Sequence, residues 1–111
     1  MCTVHMARDA QKRTISLEVK GHAGYAEKGK DVVCAGISVL TQAFAAVAQK
    51  METGGDLVSC AGLIRAGDAA VFCECIDDGA YMALELALGV VKIGFEQIAG
   101  EYPAYIKVTC E

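Results

Sequence analysis

The chain of 111 residues has no cluster of lysine or arginine, and its formal net charge is −4. Both argue against a duplex-binding protein, because nucleic-acid affinity rests largely on Lys and Arg displacing counterions along phosphates. Lys12-Arg13 and the pair Lys28 and Lys30 are short and interleaved, and read as solvated loop charges. No direct nucleic-acid partner is expected. The Cys-x2-Cys and His-x3-His spacings of structural zinc are absent, so no metal or other cofactor is expected. Neither Gly-x4-Gly-Lys-Ser/Thr nor Gly-x-Gly-x-x-Gly occurs, which excludes the common phosphate-binding loops. The N-terminus lacks the basic start and long apolar run of a secretory signal. Glu85, Lys92 and Glu96 interrupt the longest apolar stretch, so no membrane-spanning segment is expected. The expected compartment is the cytoplasm, where the six cysteines at 2, 34, 60, 73, 75 and 110 remain reduced thiols.

With 54% hydrophobic and 22% charged residues the chain is too apolar for disorder and reads as one domain over residues 1–111. Val4 and Met6 alternate with polar neighbours, as do Ile15, Leu17 and Val19, which predicts a hairpin joined through Arg8 to Lys12. Residues 21–31 form a long glycine-containing loop. From Val33 to Met51, apolar positions recur at three and four, which predicts a helix capped by Asp31. A second hairpin follows, Leu57 to Ile64 and Ala69 to Ile76. A second helix spans Ala80 to Ala99, and Ile106, Val108 and Cys110 form a last strand. The order β-β-α-β-β-α-β implies an α+β fold, with two helices packed on a largely antiparallel five-stranded sheet. Cys73 and Cys75 share one strand face and read as small buried side chains, and Cys60 and Cys110 receive the same reading. The second helix is apolar on two sides, Leu84, Leu88, Val91 and Phe95 on one and Leu86 and Val90 among those on another. This is more than one small sheet covers, and it favours a homodimer.

Cys34 alone among the cysteines falls where a glycine-containing loop enters the first turn of a helix. Unpaired amides and the macrodipole there favour a negative charge. His22 opens the same loop, and the intervening glycines let its imidazole fold back towards the sulfur, giving a nucleophile and its base. Asp31 serves as the helix cap, as an orienter of His22, or as both. Ser38 lies one helical turn beyond Cys34, placed to bond within the site or to a preceding carbonyl. A lone Cys and a lone His are more often structural than catalytic, and spacing alone leaves both readings open.

The segment Gly21-His22-Ala23-Gly24-Tyr25-Ala26-Glu27-Lys28-Gly29-Lys30-Asp31-Val32-Val33-Cys34-Ala35-Gly36-Ile37-Ser38 closely resembles the signature of the Prp family of ribosomal-processing cysteine proteases. The resemblance implies a homodimeric cysteine endopeptidase with His22 and Cys34 as its dyad. Such an enzyme removes an N-terminal extension from the precursor of bacterial large-subunit ribosomal protein twenty-seven. Backbone amides around Cys34 are the expected oxyanion donors. Gly21, Gly24 and Gly29 suggest a loop that opens for an extended peptide and closes over it. Two rivals belong to other classes. One is a non-catalytic, ribosome-associated module that holds a peptide tail, and the other is a redox sensor based on Cys34.

Overall fold

In the computed structural model, which describes residues 1–27, 30–65 and 67–111, the chain orders itself as β1 (Cys2–Asp9), β2 (Thr14–Lys20), α1 (Val32–Thr53), β3 (Leu57–Arg65), β4 (Asp68–Cys75), α2 (Asp78–Glu101) and β5 (Ile106–Cys110). The strands form one sheet in the order β3-β4-β2-β1-β5. Neighbours β3/β4, β4/β2 and β2/β1 are antiparallel, while β5 returns parallel to β1. The expected two-helix α+β sandwich is therefore correct, with one parallel edge added. The first turn is shorter than the sequence suggested, because β1 runs on to pair Arg8 with Ile15 and Asp9 with Thr14.

Alternation along the central strands puts one residue in two under the helices. Val4 and Met6 of β1, Ile15 and Leu17 of β2, and Val71 and Cys73 of β4 are buried on that face. Helix α1 lays Val33, Ile37, Thr41, Phe44 and Ala48 against the sheet, and α2 lays down Tyr81, Leu84, Leu88, Val91 and Phe95. Each large apolar side chain buried this way contributes about 1.5–3 kcal/mol. Thr41 sits inside this stripe without cost to hydrogen bonding, since its hydroxyl donates to the Ile37 carbonyl at 2.7 Å.

Two expectations need correction. Cys110 is exposed rather than buried and Cys60 only half-buried, because β5 and β3 are the two edges of the sheet. Charges also fail to interrupt every long apolar stretch. Within α1 no Asp, Glu, Lys or Arg occurs from Val32 to Gln49, and α1 is long and apolar enough to cross a membrane by length and composition. In this fold its buried stripe instead forms half of the helical layer.

Candidate functional site

Gly21 ends β2 with φ +86, a backbone region that disfavours a Cβ, and its N–H donates to the Gly67 carbonyl at 2.9 Å. A side chain at Gly21 would meet the Met1 carbonyl oxygen at 2.7 Å. The chain can therefore turn off the sheet here only as glycine. The next residue, His22, is exposed, and Ala23 after it is buried in the core. This buried alanine draws the loop against α1, where the Ala23 N–H points at the Cys34 sulfur at 3.4 Å.

Asp31 fastens both sides of the junction. One carboxylate oxygen accepts from the Cys34 N–H at 2.9 Å, making Asp31 the N-cap of α1 and Cys34 its third residue. The other oxygen accepts from Tyr25 and Ala26 N–H at 3.0 and 3.3 Å. The Cys34 amide above all, then those of Ala26 and Tyr25, hold the Asp31 carboxyl below its ordinary value. Asp31 thus caps the helix and clamps the loop, and both of its oxygens are engaged by backbone amides. Tyr25 adds a second anchor by meeting Tyr102 and Tyr105 edge to face, with ring centroids 5.2 Å apart in each pair.

A groove of about 930 Å³ opens between this loop, the N-terminal half of α1 and the β3–β4 turn. His22, Gly24, Asp31, Cys34 and Ser38 all line it, together with Gly21. The expected constellation is therefore gathered in one place, except that Gly29 lies outside the described residues. Among the described residues no hydrogen bond joins His22 to Cys34. The imidazole instead lies on Gly67, close enough that a Cβ there would sit 2.6 Å from Nε2. Among the described residues Ser38 makes no bond back to a carbonyl, and its hydroxyl accepts from Gln42 Nε2 at 2.8 Å.

Two of the amides around Cys34 are already committed, since Cys34 N–H donates to the Asp31 side chain and Ala35 N–H to the Asp31 carbonyl at 3.0 Å. The Ala23 N–H is the donor directed at the Cys34 sulfur. Sequence reasoning missed the opposite wall, formed by Ile64, Arg65, Gly67 and Ala69. The Asp68 carboxyl at that rim takes Lys20 at 3.0 Å and Arg65 at 3.5 Å, and Lys20 foremost holds it below its ordinary value.

The arrangement places a thiol at a helix N-terminus and an imidazole on the lining of one groove. The family model described as cysteine protease Prp matches residues 1–107. No curated protein matches the chain. Among solved structures, the S. aureus ribosomal processing protease Prp with a covalently linked product peptide is 20% identical, covers all of both chains and superposes with a TM-score of 0.71. The same protease with a substrate peptide gives 18% identity, full coverage of both chains and 0.66. SMU.848 from Streptococcus mutans is 24% identical over 99% of this chain and 93% of its own, with a TM-score of 0.64. At these identities the likeness is one of fold.

Proposed function

The chain belongs to the cysteine protease Prp family, and from that premise we propose that it removes an N-terminal extension from a ribosomal protein precursor, with Cys34 as nucleophile and His22 as base. The observation that carries this reading is the Cys34 sulfur, third in α1, facing the groove under the Ala23 amide, with His22 on the same groove. The S. aureus proteins with bound substrate and product peptides support the choice of substrate class.

The steps follow from the positions. As a peptide fills the groove, the imidazole pivots on its Gly67 seat and takes the thiol proton. The sulfur attacks the scissile carbonyl, the imidazolium protonates the departing amine, and water hydrolyses the thioester, returning the proton to the sulfur. No metal is required, since the nucleophile and the proton carrier are both side chains of the chain. The floor and walls offered by Val19, Ile64 and Ala69 favour apolar side chains in the extension.

The enzyme acts as a cytoplasmic homodimer in this reading. Met82, Leu86, Val90 and Ile93 form an exposed apolar stripe on the outer side of α2, with Leu86 72% exposed, and a second copy would cover it. The test is cleavage of the purified ribosomal protein precursor, followed by mass spectrometry. Wild-type protein should release the extension, and Cys34→Ala and His22→Ala should leave the precursor whole. An intact precursor with all three proteins would instead support a peptide-binding module.

A further inference from the structure

Outside the groove the molecule holds a pair of thiols that the proposed mechanism does not use. Cys60 on β3 and Cys73 on β4 are direct cross-strand partners, and their sulfurs lie 3.6 Å apart. We propose that Cys60 and Cys73 form a reversible, peroxide-sensitive dithiol, an oxidative modification site on the edge hairpin.

Three observations support it. Residues directly opposite in an antiparallel pair have Cα atoms about 4.5–5.5 Å apart, within the roughly 4.4–6.8 Å that a disulfide spans. The backbone therefore needs no rearrangement, and side-chain rotation alone brings the sulfurs together. The two thiols also differ in access. Cys73 is fully buried, whereas Cys60 is half-buried on the edge strand and reachable by a small oxidant. Burial, and then its contact with Cys60, push the Cys73 thiol up, which keeps Cys73 protonated until its partner has reacted.

The chemistry balances with hydrogen peroxide as the oxidant. The Cys60 thiolate attacks one peroxide oxygen, the O–O bond breaks, and hydroxide leaves, giving the sulfenic acid. The Cys73 sulfur then attacks the Cys60 sulfur, the S–O bond breaks, and the Cys73 proton leaves with the hydroxyl as water. Two electrons pass from the pair of thiols to one peroxide. The bond ties β3, which among the described residues pairs only with β4, to the interior of the sheet, below the turn that carries Gly67.

The test treats the folded full-length protein with dilute hydrogen peroxide, digests it, and reads the products by tandem mass spectrometry. The expected result is a linked peptide pair about 2 Da lighter than the sum of its parts, joined between Cys60 and Cys73. It should revert with dithiothreitol and vanish in Cys60→Ser. Cys60→Ser is the variant of choice because its site is not fully buried, and circular dichroism with a thermal melt verifies its fold. The oxidised protein should melt at a higher temperature than the reduced one, and Cys60→Ser should lose that shift. Sulfinic acid at Cys60 without a link, or a link from Cys60 to Cys75 or Cys34 instead, overturns the proposal, as does linkage found only after unfolding in urea. These readouts use no substrate, so the proposal stands or fails independently of the protease reading.

Discussion

Gly67→Ala tests whether the β3–β4 turn seats the imidazole. The added Cβ would lie 2.6 Å from His22 Nε2, 2.9 Å from Cε1 and 3.2 Å from Cδ2. Carbon and nitrogen atoms rest at roughly 3.5 Å or more, so the ring must retreat by about 1 Å. The nitrogen closest to the new methyl is one of the two that can carry the proton. A displacement of about 1 Å at a reacting group can cost about a hundredfold in rate, or about 2.7 kcal/mol at 1.36 kcal/mol per decade. The backbone contributes separately, because Gly67 has φ +74 and an L-residue there is less stable by about 1–2 kcal/mol. That lowers Tm by roughly 4–8 °C per kcal/mol for a domain this size. The two effects separate when steady-state cleavage of a peptide spanning the precursor site is measured well below the melting transition. We expect kcat to fall by about a hundredfold with KM changed far less, because the groove walls stay in place. The chain has two histidines, so ring resonances observed against a His5→Gln background report the displacement directly. Wild-type kcat with an unshifted His22 resonance would falsify the seating role.

Gly24 has φ +72 and open space around the position of a Cβ, so Gly24→Pro disturbs the loop through backbone conformation rather than crowding. Turnover should fall by about tenfold or more with little change in Tm, and unchanged peptide cleavage would count against loop motion. Asp31→Ala removes the cap and the loop clamp together and should reduce kcat/KM by about 10–100-fold, whereas Asp31→Asn, which keeps one acceptor oxygen, should lose less. Because the folded Asp31 carboxyl is held below its ordinary value of 3.8, its stabilising effect is complete above that pH and lost as pH falls further, which acid titration of loop signals in wild type against Asp31→Asn would reveal. At the alkaline end, burial foremost raises Cys2 from 9.0 to about 11 and also raises Cys73 and Cys75. These thiols ionise first in the unfolded chain, so stability should be intact below pH 9 and decline as pH rises towards 11, measured as Tm against pH in wild type and Cys2→Ala. Leu86→Glu should weaken self-association by about a hundredfold or more, since burying each leucine of a two-fold interface contributes about 1.5–3 kcal/mol; light scattering that shows the same mass for both proteins would argue against the α2 stripe as the dimer contact.

The elements were legible where a period ran long enough. Alternation in β1 and β2 and the three-four spacing of α1 and α2 follow from which side must be buried, and that requirement is written locally. The helix cap was legible too, since Asp31 stands three residues before a helical cysteine and its side chain can reach that amide. Sheet order was not written in this way. That β5 lies parallel to β1 at an edge depends on where the chain goes after Pro103, and this placement left Cys110 exposed in spite of its apolar alternation. Charge counting failed at α1 for a related reason. An uncharged helix reads alike whether it meets a sheet or a bilayer, and the buried stripe of Val33, Ile37, Phe44 and Ala48 becomes decisive only once its partner is known.

The site divides along the same line. Its near wall, His22 to Ser38, is one continuous segment whose residues are neighbours in sequence and so could be read together. Its far wall comes from the β3–β4 hairpin, which lies beyond α1 in the chain. Nothing local distinguishes Gly67 from an ordinary turn glycine. Its two requirements, a carbonyl for the Gly21 amide and no side chain under the His22 ring, are imposed by a different part of the chain. The turn must therefore satisfy its own backbone and the imidazole at once, and a positive-φ glycine meets both conditions. Gly21 and Gly67 thus act as a pair: one releases the chain from β2, the other receives it, and the hydrogen bond between them fixes the height of His22 over the groove. A change at either residue reaches the chemistry through that bond, without touching the sulfur.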